Sequence, residues 1–586
     1  MTWITPEVDG SLDWLQRSPF ANIMKTCGFH RKTNSPVFSG AMNSPQRSAG
    51  AWWVAIALIA GASFCALVPW FWYGIPSGHD FEFHFNSWVE VLEHWRQGVV
   101  YPHWAAWAHY GYGEARFVFY PPISWTVGAI FSAVLPWNVV PGAFVWLALT
   151  LAGVSMFAVA RNWLSHGNAL FAAILYAVNP YHLIVVYWRS AFAELLAAAY
   201  LPLLLLCVLR MDNRGQRMIA PIALLLAAGW LTNIPSAVMM HYMLGTLISW
   251  MVISSRRWKL LVYAAIAVLA GAALAAVYLL PVWHQRIWVS LDQVLSPGVR
   301  PQENFLFAHT TDPEHDKFNH LVSLVAICEF TVLTVMLLVS RARRVSQVWR
   351  ASFVLGAFSA LVMLAFTSPL WNHLPELRYV QFPWRWLLAF NVAVGLAVSF
   401  AIQKWWARGA VCLLLLAIIG TAAHLNLAPW WDHTGDLWEM VDNQHDRIGN
   451  EGVDEYAPAG SDPYDIDQNA PLAKYDGTGS ARISVERWDA ERRVISAQAS
   501  APGALVLKLF NYPNWRVTVN GRDEHTGITK QYQMTVPIHS GENRIDVRFK
   551  EGWDRRVGAG VSLATLFTIA LWYKRGIRAS TAVARG

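Results

Sequence analysis

Long apolar runs separated by short basic segments constrain this chain more than any other feature of its sequence. A helix needs about 17–25 apolar residues to cross a bilayer. Because 55% of the 586 residues are hydrophobic and only 14% are charged, the chain has too much apolar surface for one soluble core. The sequence therefore predicts a polytopic α-helical membrane protein with about twelve transmembrane helices, at 51–73, 139–160, 169–187, 190–209, 218–233, 236–253, 260–283, 321–340, 351–367, 386–402, 409–426 and 557–573.

The basic residues predict the orientation of these helices. Lysine and arginine concentrate in loops on the cytoplasmic side of a membrane protein. With twelve spans, both termini and every basic connector lie in the cytoplasm. These connectors contain Arg210, Arg214, Arg217, Arg256, Arg257, Lys259, Arg341, Arg343, Arg344, Arg350, Lys404, Arg408, Lys574, Arg575 and Arg578.

One apolar run, from Pro122 to Pro136, does not fit the count of twelve. If it crossed the membrane, every later basic loop would be external. A run this short is more typical of an interfacial or re-entrant helix. Residues 74–138 are therefore predicted to form one external loop, and residues 284–320, 368–385 and 427–556 to be external as well.

The composition of the two ends and of the late chain defines the remaining segments. Residues 1–50 are polar and predict a flexible cytoplasmic leader, followed by a transmembrane domain at 51–426. Residues 427–480 are rich in aspartate and predict an external, solvated linker. Alternating segments and the dipeptide Asn520-Gly521 predict an external antiparallel β-sandwich at 481–556, with Trp515 and Phe549 in its core, before the last helix and cytoplasmic tail at 557–586.

The net charge of +7 does not indicate nucleic-acid binding, because no basic patch with a reading motif accompanies it. The five cysteines are scattered and form neither a disulfide framework nor a metal motif. The sequence predicts no nucleic-acid partner. It does predict contacts with membrane lipids.

The segment Gly78-His79-Asp80-Phe81-Glu82-Phe83-His84 follows the first apolar run and contains two carboxylates and two imidazoles. A strand would place Asp80, Glu82 and His84 on one face, whereas a helix would pair Asp80 with His84 at i, i+4. Either geometry places an acid beside a base at the predicted membrane surface.

Several motifs occur in an order that resembles known membrane proteins. The segments GHDFEFH, FYPPIS, WRSAFAELLA, QFPWRWL and NYPNWRVTVNG follow one another between the first and last spans. The first span and acidic loop resemble membrane glycosyltransferases of the GT-C fold. The motifs more closely resemble bacterial YfhO-like proteins and the related family labelled 6-pyruvoyl-tetrahydropterin synthase-related.

The GT-C resemblance implies a catalytic acid in the first external loop, and Asp80 is at the matching position. Transfer of a sugar needs a base that takes the proton of the acceptor hydroxyl. Asp80 is the expected base. His79, Glu82 and His84 are expected to orient Asp80, to bind a divalent metal together with it, or to be solvated. No cofactor is required, and a metal held by Asp80, Glu82 and His84 is an alternative.

Arginines at external span ends are candidates to hold a donor phosphate, because a guanidinium group matches phosphate oxygens. The three candidates are Arg116, Arg189 and Arg385. Alternatively, Arg189 pairs with Glu194 for structural reasons, and Arg385, flanked by Trp384 and Trp386, is an anchor at the membrane interface. The remaining candidates for a substrate groove are Tyr120, Glu194 and Asn233.

The resemblance implies an inverting membrane glycosyltransferase that takes sugar from a polyprenyl phosphate or pyrophosphate donor. It implies a bacterial cytoplasmic membrane, with the acceptor, which is a glycan, a lipid or a protein, on the external side. The alternatives are a transporter or flippase for lipid-linked sugars and a non-catalytic assembly protein of the cell envelope. No internal repeat of hydropathy, which is typical of many transporters, is visible.

Overall fold

The computed structural model describes residues 49–344, 346–425 and 431–583, so nearly all of the predicted leader at 1–50 lies outside the described residues. The first half of the described chain forms these helices: Ala49–Cys65 (α1), Trp70–Tyr73 (α2), Phe81–Arg96 (α3), Ala108–Gly111 (α4), Arg116–Phe119 (α5), Pro122–Val134 (α6), Val140–Ala160 (α7), His166–Ala177 (α8), Pro180–Ile184 (α9), Phe192–Ala197 (α10), Tyr200–Arg214 (α11), Ile219–Thr232 (α12) and Ile234–Ser255 (α13). The second half adds Lys259–Leu274 (α14), Ala276–Gln285 (α15), Pro313–Val339 (α16), Gln347–Val362 (α17), Ser368–His373 (α18), Leu387–Ala401 (α19), Trp405–Leu425 (α20), Thr434–His445 (α21) and Trp553–Val583 (α22).

The described chain has eight helical segments that are long and apolar enough to cross a membrane, or up to ten if two bent pairs each form one span. The pair Lys259–Leu274 and Ala276–Trp288 bends by 75°, and the pair Gln347–Val362 and Ala365–His373 by 85°. The prediction of a polytopic helical membrane protein is confirmed at this level, whereas the count of twelve stays a prediction.

One of the eight segments, Phe192–Thr232, folds back on itself. A straight helix of its 41 residues would be about 60 Å long. Instead, the hydroxyl groups of Tyr200 and Thr232, near its two ends, are 3.0 Å apart. The reversal follows Arg214, where Gly215 has a φ of +53° that favours glycine. This segment therefore contains two antiparallel helices, α11 and α12.

The apolar run after Pro122 forms the short helix α6 of 13 residues. It is too short to cross a bilayer of ordinary thickness. It packs against α3, and a Cβ atom at Gly128 would lie only 2.2 Å from Nε1 of Trp88. Glycine is therefore required where these two helices meet.

The late chain forms two antiparallel sheets. The strands are Ala473–Gly477 (β3), Ala481–Trp488 (β4), Arg492–Ala499 (β5), Gly503–Phe510 (β6), Trp515–Val519 (β7), Arg522–Glu524 (β8), Gly527–Ile528 (β9), Gln533–Ile538 (β10) and Gly541–Phe549 (β11), and two earlier strands, Ile75–Pro76 (β1) and Trp431–Asp432 (β2), pair with each other. The orders are β3-β6-β10-β9 and β4-β5-β11-β7-β8.

Side chains of both sheets belong to one buried cluster, which includes Leu507 of β6 and Ile545 of β11. The predicted β region is thus present. The Asn520-Gly521 turn joins β7 to β8, and both of its residues have positive φ, as a tight hairpin requires. Trp515 is buried, and Phe549 is half-buried against the same cluster.

The first part of the aspartate-rich segment, up to about residue 458, packs on the protein, unlike the solvated linker that its composition predicts. The helix α21 buries Leu437 and Val441, and the amide of Gln444 donates to Oδ1 of Asn86 in α3 at 3.0 Å. The backbone nitrogen of Asn450 donates to the carbonyl of Trp107 at 2.9 Å. Apolar side chains spaced between the aspartates supply this packing, and strand β3 also begins before residue 481.

Candidate functional site

The segment GHDFEFH is fixed to the turn that carries Arg189. A π-helical turn, Val185–Arg189, ends α9, and Ser190 follows with a φ of +48°. The Ser190 hydroxyl accepts from the backbone nitrogen of Gly78 at 3.0 Å and donates to the carbonyl of Pro76 at 2.9 Å. A Cβ atom at Gly78 would lie 2.3 Å from the Trp188 carbonyl. Because π turns and strained backbone cluster at functional sites, this junction is a candidate site.

Asp80 stands at the start of α3, beside this turn. Its backbone nitrogen donates to the carbonyl of Arg189 at 2.9 Å, and its carbonyl accepts from the nitrogen of His84 at 3.2 Å. The helical geometry is therefore the one that forms. The Asp80 side chain is 40% exposed, and its Oδ2 is 3.4 Å from Nη2 of Arg189. This carboxylate is accessible and only weakly paired.

Glu194 joins two arginines in the interior. Its side chain is 1% exposed, and its Oε2 accepts from Nη1 of Arg189 at 2.5 Å and from Nε of Arg385 at 3.1 Å. The hydroxyl of Tyr181 donates to Oε1 at 2.5 Å. One carboxylate therefore orients both guanidinium groups. We call Asp80, Arg189, Glu194 and Arg385 the arginine cluster.

The QFPWRWL motif positions Arg385 in the arginine cluster. Its Nη1 donates to the carbonyl of Val380 at 2.7 Å and to the side chain of Gln381 at 3.0 Å. Gln381 has a φ of +63°, a strained conformation for a residue with a side chain. Trp384 and Trp386 are buried in the protein. Arg385 is buried with them, which argues against the alternative in which it is an anchor at the membrane interface.

His84 and Tyr120 line the inner side of Asp80, whereas Glu82 points away. The His84 ring lies 5.8 Å from the Tyr120 ring and 5.3 Å from the Phe192 ring. Burial lowers the pKa of His84 to about 4, so its imidazole is neutral at physiological pH. Burial also raises the pKa of Tyr120, which therefore keeps its proton. Glu82 is exposed in the first turn of α3.

The proposed metal ligands are not brought together. Glu82 is exposed while His84 is buried, because helical spacing separates positions that a strand would align. His79 is exposed, with its ring 5.6 Å from that of Phe318. Within the described parts of the chain, no three His, Cys, Asp or Glu side chains are grouped in a way that could hold a metal ion. The residues present therefore do not fit a metal held by Asp80, Glu82 and His84.

Arg116 does not join the arginine cluster. Its side chain is 1% exposed, its Nε donates to Glu114 at 2.6 Å, and its Nη1 donates to Ser87 at 3.1 Å. Burial by itself raises the pKa of Glu114, but Arg116 and His109 outweigh burial and hold that pKa below its usual value. Arg116 therefore pairs with Glu114 and not with Glu194, so the fold does not bring it to the other two candidate arginines.

Asn233 acts as a helix cap. Its side chain accepts from the backbone nitrogen of Ser236 at 2.9 Å, at the start of α13, and Pro235 occupies the first turn. This geometry is that of an N-cap followed by proline. It explains the Asn-x-Pro sequence without a substrate.

No sequence pattern singled out Tyr181, Gln381 or Glu455, which the fold brings to this region. Glu455 comes from the aspartate-rich segment and interacts electrostatically with the carboxylates of Glu114, Asp454 and Asp80. Burial raises the pKa of Glu455 to about 7. A raised carboxyl pKa near a cleft is a signal of function, but it depends on contacts that are distant in sequence. Gln381 was visible only as part of the QFPWRWL motif.

Together, the fold and the arginine cluster define a helical membrane protein with a charged site where its first loop meets the span ends. Residues 117–429 match the family model described as "6-pyruvoyl-tetrahydropterin synthase related domain; membrane protein". Because this match covers more than half of the chain, the protein belongs to the 6-pyruvoyl-tetrahydropterin synthase-related family of membrane proteins.

Two solved structures are similar over part of the chain. The arabinofuranosyltransferase AftD from Mycobacteria has 17% identity and a TM-score of 0.39, covering 64% of this chain and 27% of that one. The oligosaccharyltransferase of Archaeoglobus fulgidus has 15% identity and a TM-score of 0.39, covering 64% of this chain and 53% of that one. This chain thus spans well under two thirds of either protein, and the low TM-scores establish neither fold nor activity. No curated protein sequence matches the chain.

Proposed function

We propose that the protein is a membrane glycosyltransferase of the GT-C kind, which transfers a sugar from a polyprenyl phosphate or pyrophosphate donor to an acceptor. The observation that supports this best is the arginine cluster. An accessible carboxylate, Asp80, stands beside two buried guanidinium groups that one glutamate holds in place. A base next to fixed cations is what sugar transfer from a lipid phosphate requires.

In the proposed reaction, the oxygen of an acceptor hydroxyl attacks the anomeric carbon of the donor sugar. The bond between that carbon and the phosphate oxygen breaks, so the polyprenyl phosphate or pyrophosphate leaves with the bonding electrons. Asp80 takes the proton of the hydroxyl, and the anomeric centre is inverted. The donor phosphate takes the place of Asp80 at Nη2 of Arg189, because that 3.4 Å contact is the longest ion pair of the cluster.

The position of the cluster at span ends supports this proposal, because a lipid-linked head group lies at the membrane surface. Candidate spans end at Tyr73 and at Arg189, and others begin at Phe192 and at Pro383. Asp80 follows the end at Tyr73, and Arg189, Glu194 and Arg385 lie at or next to the other three ends. We propose that they face the external side of a bacterial cytoplasmic membrane, with twelve spans and both termini in the cytoplasm. The antiparallel pair α11 and α12 favours a higher span count, because the 41-residue segment Phe192–Thr232 would then contribute two crossings.

The test compares Asp80→Asn with Glu82→Gln in full-length protein reconstituted into proteoliposomes. Glu82 is a matched control, since it is an exposed carboxylate two residues from Asp80. Transfer from a panel of polyprenyl phosphate and pyrophosphate sugars is measured with and without EDTA. Loss of a general base typically lowers the rate by about 10²–10⁴-fold. We expect this loss for Asp80→Asn with donor binding retained, and near-normal transfer for Glu82→Gln.

The same variants separate the rival functions. A flippase would lose lipid translocation in Asp80→Asn, and neither protein would form a glycosidic product. The function of an assembly protein would not change with the substitution. Either outcome would contradict the proposed transfer. A rate that disappears in EDTA would restore the metal alternative, with ligands other than the set Asp80, Glu82 and His84.

A further inference from the structure

A cavity lies away from Asp80, along the C-terminal half of α3. Its volume is about 270 Å³, near the lower end of the range of about 300–1,000 Å³ for ligand pockets. Three separate parts of the chain form its walls: α3 with other residues of the first loop, the end of α21, and the turn between β4 and β5. The five-stranded sheet, the end of α21 and the first loop therefore build it together.

Three tryptophans line this cavity: Trp107, Trp137 and Trp488. Trp107 and Trp137 are half-buried, so their rings remain available to a ligand. Aromatic side chains give large contact areas with an apolar face and a polar edge. The apolar faces of sugar rings match such surfaces.

The polar lining is balanced in charge. Arg96 and Arg447 contribute two positive charges, and Glu93 and Asp489 two negative charges. Arg96 is 3.5 Å from Glu93, and Asp489 is 2.7 Å from Arg487, so neighbouring groups offset most of these charges. The carboxylates would repel an anionic ligand, and the guanidinium groups would repel a cationic one. A neutral ligand with many hydroxyl groups can donate hydrogen bonds to the carboxylates and accept them from the guanidinium groups.

Gln444 provides an unpaired acceptor in the cavity wall. Its side chain is buried, and its Nε2 donates to the backbone carbonyl of Asn86 at 3.4 Å and to Oδ1 of Asn86 at 3.0 Å. Because the carbonyl can only accept, the nitrogen must face Asn86. Oε1 then has no hydrogen-bond partner among the described residues. A buried acceptor without a partner costs free energy, so a donor that reaches Oε1 would be bound favourably.

We propose that this cavity binds the neutral glycan portion of the acceptor, with sugar rings against the tryptophans and a sugar hydroxyl donating to Oε1 of Gln444. The acceptor assignment rests on the proposed glycosyltransferase activity, whereas glycan binding itself does not. Val89 and Gln97 lie nine and seventeen residues after Asp80 on one helix. At 1.5 Å per residue, the cavity extends from about 13 to 25 Å beyond the base, so it holds a distal part of the acceptor.

The test measures binding of cellotetraose, maltotetraose and mannotetraose to the full-length protein in nanodiscs, by saturation-transfer NMR and tryptophan fluorescence. Tetragalacturonate is the anionic comparison. We expect at least one neutral tetrasaccharide to bind, and Gln444→Leu to weaken its binding about tenfold through the lost hydrogen bond. We expect Trp107→Ala to weaken it by at least as much.

Two further variants keep the result interpretable. Arg447 has a φ of +62°, so Arg447→Asn removes a cavity guanidinium without straining the backbone, and we expect about threefold to tenfold weaker binding. Trp438, exposed on the same α21 helix and outside the cavity lining, provides the control Trp438→Ala, which should bind normally. No binding of any neutral probe, preference for tetragalacturonate, or equal binding by all variants would overturn the proposal.

The outcome is separable from the proposed activity. Asp80→Asn should bind the tetrasaccharide normally while transferring no sugar. Normal transfer by protein that binds no neutral glycan would reject this cavity and leave the transferase intact. Binding without any transfer by wild-type protein would reject the acceptor assignment and keep the glycan site.

Discussion

Removing the charge of Glu194 should be among the most damaging single substitutions in the transmembrane domain. Glu194→Gln keeps the shape of the side chain but removes the carboxylate that accepts from Arg189, Arg385 and Tyr181. Its side chain is 1% exposed, so water cannot replace the lost partner. Breaking a buried ion pair by removing one member costs about 3–5 kcal/mol, since the remaining charge stays buried.

The matched control is Asp212→Asn. Asp212 pairs with Arg257 at 2.9 Å, but the arginine side chain is 58% exposed. Such surface pairs contribute about 0–1 kcal/mol. Unfolding of both variants in mixed micelles, followed by tryptophan fluorescence, gives the two changes in unfolding free energy. Equal, small changes would refute the view that Glu194 holds the cluster together.

Three further outcomes are expected. Burial raises the pKa of Glu455 from 4.5 to about 7. Wild-type protein should therefore lose up to about 3 kcal/mol of stability as the pH rises through this interval. In Glu455→Gln, the melting temperature should depend less on pH over the same interval. Arg116→Gln should lower stability by about 3–5 kcal/mol while leaving the donor KM of the folded fraction unchanged, whereas Arg385→Lys should raise that KM, as measured by initial rates. Asn233→Ala should cost about 1 kcal/mol through the lost cap, measured by thermal unfolding, with transfer unchanged.

The sequence predicted those features that depend on local pattern. Apolar runs long enough to cross a membrane became helices, and the Asn520-Gly521 dipeptide formed its hairpin. The motif around Asp80 and the WRSAFAE and QFPWRW motifs meet at one place, as their shared position at span ends suggested. Short-range periodicity and turn chemistry suffice for such predictions.

Features that depend on long-range pairing were missed. Nothing in the sequence indicates that Glu114 lies against Arg116 and also accepts from Val453, which is 339 positions away. The aspartate-rich segment looked solvated because composition does not reveal the few apolar side chains that pack on the first loop. For the same reason, an arginine that holds a phosphate and one that is already neutralised look identical until their partners are known.

The most direct test is a structure of the protein with a polyprenyl phosphate sugar bound in nanodiscs. We expect a phosphate within about 3 Å of the guanidinium groups of Arg189 and Arg385, with Glu194 still between them and the anomeric carbon facing Asp80. A phosphate bound elsewhere, with both guanidinium groups paired as in the free protein and Asp80 in solvent, would contradict this expectation.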